Sequence, residues 1–406
     1  MKTLVLYSCR TDQPSYYSDW ADAFNEHANY NANCINVFAS DNNLRKDIKK
    51  SIEKSDLIVL LHSMNADTLE YLTPFVSSLK NRNGKLVSFV GNEVNLPTIS
   101  MTAKIKLLQE LNTNIIATQL TQEAGEWLYA DCRGSKVISL PHALNPKVFY
   151  PITDYCNRKI DIGTRSAHYG AYIGDNDRNN IILFFHKNAE KYGISVNLGL
   201  DENCQKRFNR QEWAKFLNSC KATLSTEAGS FYLEKDDKLV KTILKYLQSS
   251  SNNLMGKFIF SNEIFLQKLY KKILPGPFLK KIFGPLKNKI INSYNIEQEF
   301  KFTDIYERFF LNTPKCPAYS KCISSRHFDA IGTKTLHIMY PGRYNDILIP
   351  GEHYFELKKD HSNFDELLKI INNPKALQEI TNRTYDYVMK KHTYKDRLDT
   401  LSHALN

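Results

Sequence analysis

The sequence predicts an α/β protein of two domains, each a parallel sheet with helices on both faces, and three observations carry that expectation. Short, nearly continuous apolar runs rich in β-branched residues alternate with stretches of helical length along the chain, the pattern of strands buried on both faces. The chain has 406 residues, more than one ordinary core accommodates. The passage 140–152, LPHALNPKVFYPI, places prolines at 141, 146 and 151, so no helix crosses it. The boundary falls near residue 152, giving Rossmann-like domains over 1–152 and 153–395.

In the first domain the apolar runs put strands at 3–8, 35–40, 56–63, 85–92, 114–120 and 136–143. Helices fill 19–28, 43–54, 66–81, 98–111 and 121–129. The second opens with a strand at 160–166, a loop and helix within 173–193, a strand at 195–200, a helix at 211–220 and a strand at 222–230. An insertion spans 236–310. Beyond it come a short helix at 326–331, a turn at Gly332 and Thr333, and a strand at 335–339 that Pro341-Gly342 breaks. A strand at 353–357 and helices at 365–372 and 374–391 complete the pattern. Ligands meet such sheets at the carboxyl ends of the strands. In the first domain those loops carry Arg10 and Asp12, then His62, then Asn92 and Glu93, then His142 and Asn145. No G-x-G-x-x-G follows the first strand, which removes the main support for dinucleotide binding.

Hydrophobic residues make up 42% and charged residues 24% of the chain, the profile of a globular protein. No apolar run approaches the roughly 20 residues of a membrane span, and the first residues read as a strand and not as a leader. The eight cysteines form no C-x-x-C pair and no zinc spacing, so reduced thiols in a cytoplasmic protein are expected. The formal net charge of +11 is concentrated: 241–291 holds ten Lys, no Arg and one acid, Glu263. Within it, 264–274 and 277–291 repeat aromatic and aliphatic residues at three- and four-residue steps with Lys between, the pattern of short basic amphipathic helices. Either their apolar stripes pack on the domain, or they lie on an anionic membrane, where each Lys contributes roughly 1 kcal/mol. The lack of Arg and of any recognition motif argues against nucleic acid.

The stretch 324–343, SSRHFDAIGTKTLHIMYPGR, with GEHYFELKKD and HTYKDRLDTL after it, resembles the donor-sugar segment of GT-B glycosyltransferases of the group 1 and spore-maturation types. The passage 140–152 is similar to the family's connection between acceptor and donor halves. The resemblance implies a GT-B fold with a basic helical insertion in the C-terminal domain and a tail, 396–406, that packs back on the first domain. It aligns Asp329 with the family's ribose-binding Glu and Lys334 with a usual Gly. Arg326, Asp329, Gly332, Thr333 and Lys334 are thereby implied as donor-binding. It also implies Arg165 and Arg178 on the leaving diphosphate, where negative charge grows as the glycosidic bond breaks. Glu227, in STEAGS, is implied to hold hydroxyls of the donor sugar.

The function so implied is transfer of a sugar from a nucleotide sugar to a glycan acceptor, lipid-linked or part of lipopolysaccharide, with no metal or other cofactor. The expected location is the cytoplasm, including the inner face of the membrane. A retaining reaction needs no protein base; an inverting one needs a carboxylate or imidazole on the acceptor side. Glu93 and His62 are the first choices there, with Arg10, Asp12, Asn92, His142 and Asn145 around the acceptor. Two alternatives stay open. Asp175 and Asp177 of the DND triplet could hold a divalent metal as in GT-A transferases, although Asp at a helix start also serves as a cap. The chain could instead be a non-catalytic, membrane-associated protein that keeps the GT-B fold.

Overall fold

A computed structural model describes residues 1–9, 16–38, 40–166, 168–200, 208–252 and 299–406. The first sheet contains β1 (Lys2–Tyr7), β2 (Asn31–Asn36), β3 (Leu57–Leu60), β4 (Lys85–Phe89), β5 (Ile115–Thr118) and β6 (Lys136–Ser139). They lie in the order β2-β1-β3-β4-β5-β6, every pair parallel. Helices α1 (Tyr16–Glu26), α2 (Asn42–Lys54), α3 (Val76–Lys80), α4 (Met101–Glu110) and α5 (Gln122–Leu128) connect them. Central strands such as LIVL of β3 and IIAT of β5 are buried at every position, as a sheet covered on both faces requires.

The second domain carries β7 (Ile160–Ser166), α6 (Asp177–Asn188), β8 (Val196–Leu200), α7 (Arg210–Asn218) and β9 (Cys220–Ser225). The two-residue strands β10 (Ala228–Gly229) and β11 (Lys321–Cys322) pair antiparallel beside the sheet. Between them lie α8 (Lys238–Ser250) and α9 (Phe302–Phe309); after them come α10 (Ser325–Gly332), β12 (Leu336–Met339) and β13 (Phe355–Glu356). Helices α11 (Phe364–Ile371), α12 (Pro374–Lys391) and α13 (Tyr394–Leu405) end the chain. The sheet order is β13-β12-β9-β7-β8, again all parallel. Counted from its own first strand this repeats the order of the first sheet, so each domain has one place where successive crossovers leave in opposite directions. That switch point lies between β1 and β3 in one domain and between β7 and β9 in the other, and it is where such sheets open a crevice for ligands.

Three features hold the domains face to face. Helix α13 returns to the first domain, where Tyr394, Leu398, Leu401 and Leu405 join a core with Val5, Trp20, Phe24 and Phe89. Asp237, just before α8, caps a helix of the other domain: its carboxylate accepts from the backbone N–H of Met101 and Thr102 at the start of α4, and from Asn95, Ser100 and Thr102 side chains. Arg210, at the start of α7, donates to Asp19 at 2.6 Å and to Asp22 at 2.9 Å on α1.

The structure departs from the sequence pattern in two places. Strand β2 lies at Asn31–Asn36 and not at 35–40, because it is a half-exposed edge strand of polar composition whose pairing with β1 leaves no apolar run to find. The long helix expected over 66–81 is reduced to α3, preceded by 3-10 turns at His62–Met64 and Thr73–Phe75; Pro74 stands where a longer helix would need its backbone N–H. Of the insertion, α8 and α9 pack together through Ile243, Leu247, Ile305 and Phe310 against Tyr232. The basic helices expected at 264–274 and 277–291 lie outside the described residues, as do Arg10 and Asp12.

Candidate functional site

The switch point of the second sheet opens as a cleft. Its walls are Thr164, Arg165 and Ser166 from the end of β7, Thr223 to Thr226 from the end of β9, Arg178, Ile181 and Ile182 of α6, Trp213 of α7, and Ser324, Arg326 and His327 at the start of α10. Ser324 is the N-cap of α10, and His327 at the third helical position returns the interaction by accepting the Ser324 N–H on Nδ1 at 3.1 Å. The helix thus directs the positive end of its dipole at the cleft. Two buried side-chain atoms lining the cleft, Thr226 Oγ1 and His327 Nε2, have no hydrogen-bond partner. An anion would find here guanidinium groups, a helix start and unengaged polar atoms.

The arginines differ in what occupies them. Arg178 stacks on Tyr169, its guanidinium carbon 3.8 Å from the ring centre. Arg326 donates to the carbonyl of Arg165, and its charge reaches Tyr16 of the first domain, whose phenol burial pushes up to about 12. Arg165 is turned sideways: it donates to the carbonyls of Thr164 and Asn197 and to Asn197 Oδ1, with its guanidinium 4.5 Å from the Phe216 ring centre. It shapes the cleft more than it faces it.

Several residues expected in the donor site stand elsewhere. Gly332, Thr333 and Lys334 lie at the far end of α10, about 12 Å from its start. Gly332 abuts Leu144 and Phe149 of the connector, where a Cβ would come within 2.5 Å of Leu144. Thr333 gives its carbonyl to Arg158, and Lys334 reaches Asn382 at 2.7 Å on α12. Asp329 is buried and accepts from Trp213 Nε1 at 3.0 Å; burial, reinforced by the charge of Asp19, pushes its carboxyl well above the ordinary range. It supports the Trp213 wall instead of opening on the cleft. Glu227 turns away from the cleft. It accepts from the Tyr344 N–H at 2.7 Å and from the Tyr319 hydroxyl, and Gly342 is so close that a Cβ there would lie 2.5 Å from its oxygen. The polar atom this strand end offers the cleft is its neighbour Thr226.

Asp175 and Asp177 are neutralised as a pair. The buried ammonium of Lys321 lies 2.8 Å from Asp175 and 3.4 Å from Asp177, and Lys359 lies 2.9 Å from Asp177. Two lysines therefore pair with the two carboxylates of the DND triplet.

Across the interdomain space, the switch point of the first sheet presents a ring cluster. His62 follows β3 and is fully buried; its ring centre lies 4.7 Å from that of His142, which in turn lies 4.5 Å from Tyr16. Trp20 Nε1 donates to His142 Nδ1 at 3.2 Å, while neither ring nitrogen of His62 has a partner. Burial holds His62 well below its ordinary value and His142 at about 3, so both are neutral. Glu93 is a different case from the base expected: its carboxylate accepts from Thr118 at 2.6 Å, Tyr129 at 2.7 Å and the Gln119 N–H at 2.8 Å, which commits it to holding the loop after β5. Asn92 likewise holds Asp67, and Asn145 holds Asp19.

The sequence reading brought Arg165, Arg178 and Arg326 to one place and His62 to the opposite edge. It missed Ser324, His327, Thr226 and Trp213. Ser324 and His327 take the N-cap and third positions only because the helix begins at Ser325, one residue earlier than the predicted 326–331. Thr226 and Trp213 carry no local signal.

Residues 286–403 match a family model described as glycosyl transferase-like. No curated protein matches the chain by sequence. Among solved structures the chain is similar to HepE of Anabaena in complex with UDP-glucose, with a TM-score of 0.52 at 7% identity over 100% of this chain and 99% of that one. HepE in complex with UDP and glucose gives a TM-score of 0.51 at 8% identity over the same shares. Sucrose-phosphate synthase of Thermosynechococcus elongatus gives a TM-score of 0.45 at 12% identity, over 100% of this chain and 98% of that one. The two HepE likenesses establish the fold as GT-B: two parallel α/β domains with their carboxyl edges facing across a cleft.

Proposed function

We propose, from a GT-B fold whose residues 286–403 match a glycosyl transferase-like family, that this chain transfers a sugar from a nucleotide-sugar donor to a glycan acceptor. The observation that carries the reading is the cleft between β7 and β9, where the start of α10, Arg178 and Arg326 converge with unengaged buried polar atoms. As the glycosidic bond breaks, charge accumulates on the leaving diphosphate, and preorganised positive groups stabilise that charge more than the ground state. HepE was solved with UDP-glucose, which makes a uridine diphosphate sugar the first donor to try. No metal is called for, because arginines and a helix start supply the positive potential. On the acceptor side, neutral His62 is the group with free nitrogens; an inverting reaction would use it as the base, a retaining one would not require it.

The acceptor is a lipid-linked glycan or lipopolysaccharide, and the enzyme docks on the inner face of the membrane through 241–291. Ten Lys against one Glu, interleaved with Phe and Leu in that segment, support this part of the reading. Among the described residues no helix is long and apolar enough to cross a membrane.

Calorimetry with UDP, GDP, CMP and their sugars tests the core of the proposal. A heat of binding for one of them, followed by transfer in the presence of EDTA, is the expected result. No heat across the panel removes the reading in favour of a non-catalytic protein that keeps the fold. Co-sedimentation with anionic vesicles tests the docking: release by Lys271, Lys272, Lys280 and Lys281 changed to Glu is expected, and retention of that variant on the vesicles overturns it.

A further inference from the structure

The second domain grips the first on both faces of its sheet. Along β5, Ile115 and Ala117 belong to the core that α13 joins, while Ile116, pointing the other way, belongs to a separate core with Val90 and Met101. Leu233 and Cys322 of the second domain are buried in that separate core. They sit on the two legs of one strap, 228–237 and 316–323, which pair with each other through β10 and β11. The strap is rooted in the cleft: one leg leaves from Thr226 and Glu227 after β9, and the other runs into Ser324 at the start of α10. The first leg ends at Asp237, whose carboxylate accepts from the first-turn N–H groups of α4, Met101 at 3.0 Å and Thr102 at 3.1 Å. Burial opposes its ionisation, but the bonds from Ser100, Asn95 and α4 outweigh burial and hold the carboxyl below its ordinary value, so a negative charge meets the positive helix end. Asn95 completes the catch: its amide donates to Asp237 at 2.7 Å and to the Glu234 carbonyl at 2.9 Å, and accepts the Glu234 N–H at 2.8 Å.

We propose that this strap holds the two domains at one separation, so that the cleft between their carboxyl edges is preset in the free protein and does not close on a ligand. Two domains joined by a connector alone move relative to each other by default, and a hinge of a few residues suffices. Here a rotation that parts the domains about the connector and α13 must draw Leu233 and Cys322 out of an apolar core on the opposite face of the sheet. The same rotation strips the α4 N–H groups of their acceptor at Asp237, which is itself 1% exposed. Both costs, lost apolar burial and unsatisfied polar groups, fall on one movement. Because the two legs spring from the two walls of the cleft, the strap also fixes how Thr226 and the start of α10 face the first domain. Its role does not depend on which donor the cleft takes.

Double electron–electron resonance on the full chain tests the strap, with spin labels on noncanonical residues at Glu53 and Lys187, one exposed site in each domain, so that the native thiols stay unlabelled. One narrow distance population is expected in the free parent, unchanged by UDP or UDP-glucose. Asp237→Ala and Asn95→Ala, which cut the catch from either side, should each add a second, broader population in the free state. A parent that already samples several separations overturns the strap. So does a shift of the whole population when a nucleotide binds, or an Asp237→Ala variant with the parent's distribution. If no nucleotide binds, the proposed function fails while the free-state comparison of parent and variants still decides the strap. Asp237→Asn keeps one acceptor oxygen for α4 and should fall between the parent and Asp237→Ala. Should Asp237→Ala not fold, Asp237→Asn and Asn95→Ala decide in its place.

Discussion

The two carboxyl edges that face each other have the same strand order and opposite internal economies of hydrogen bonding. Along the first, Glu93 is engaged by three donors, Asn92 by Asp67, Asn145 by Asp19, and the buried Lys104 by the carbonyls of Gly91 and Asn92. Among the buried side-chain atoms described there, those of the His62 ring stand without partners. Along the second, Thr226 Oγ1 and His327 Nε2 are unpartnered and Arg178 rests on a ring face. A loop edge whose polar groups satisfy one another is a rigid wall; an edge with unengaged polar groups is prepared for something that arrives from outside. Four groups of substitutions can break or sharpen that contrast.

The largest effect is expected at Glu93. Removing the carboxylate in Glu93→Ala leaves the Thr118 and Tyr129 hydroxyls and the Gln119 N–H without their acceptor in a buried site, which should lower stability by about 3 kcal/mol. Urea denaturation measures it. Nucleotide affinity of the folded protein should not change. A variant that keeps its stability and loses activity would make Glu93 a working group and dissolve the distinction between the edges.

On the other edge the expectation reverses. Arg178→Ala and Arg326→Ala should each weaken diphosphate-dependent binding by about 1.5 to 3 kcal/mol, tenfold or more, with little change in stability. Arg165→Ala should do less to binding and more to stability, since its guanidinium is held by Asn197 and Phe216. Calorimetry with the nucleotide that binds the parent separates them; unchanged affinity in both of the first two variants removes the arginines from the site.

How far these contrasts were legible in the sequence follows from what kind of interaction each rests on. Buried parallel strands announce themselves as apolar runs, so β3, β5, β7 and β12 were legible, while the GT-B arrangement was implied by the resemblance of 324–343 and 140–152 to that family. The edge strand β2 was not, because exposure allows it to be polar. Arg178 and Arg326 were legible by their place next to a strand end and a helix start. Glu227 and Glu93 were singled out for their loops, but a carboxylate's role depends on which donors reach it, and Tyr319, Tyr344, Tyr129 and Thr118 come from distant segments. The DND triplet shows the same limit: its neutralising Lys321 belongs to a strand that only the fold brings near.

Between the edges lies the Asp19 cluster, and here pH discriminates. Burial pushes the Asp19 carboxyl from 3.8 to about 6, against the opposing pull of Arg210 and Asn145, with Asp22 adding to the rise. Arg210 is held protonated by both aspartates, so one guanidinium shared by two acids does not compensate Asp19 for its loss of water. Asp329, buried and also pushed up, faces the same cluster. A carboxyl whose folded value is raised binds its proton more tightly folded than unfolded, so its contribution favours the fold below about pH 4 and is lost as pH rises to about 6. Asp19→Asn should flatten that slope by on the order of 2 kcal/mol between pH 4 and 7, read from urea midpoints across pH. An unchanged slope would place the titration on Asp329 and leave Asp19 a permanently ionised link between the domains.

The smallest effect is expected at the far end of α10, and it marks where the receiving edge stops. Lys334 has φ +52, in the left-handed region that costs an ordinary L-residue roughly 1–2 kcal/mol and glycine little. That backbone suits the glycine the family pattern usually has at this place. Lys334 recovers part of the cost through Asn382 at 2.7 Å and a position 4.8 Å from the Tyr385 ring centre, both half-exposed contacts of modest strength. Lys334→Gly gives these up and also gains freedom in the unfolded chain, so the net change should be a stabilisation of about 0.5 kcal/mol. Lys334→Ala keeps the strain and loses the contacts, and should destabilise by a similar amount. Urea unfolding of the two variants resolves opposite signs even where each change is small. Nucleotide affinity should stay at the parent's value in both, because the cleft begins at Ser324 and Lys334 points to α12. A drop in affinity on Lys334→Gly would extend the receiving edge along the whole of α10 and return Gly332 and Thr333 to the donor site.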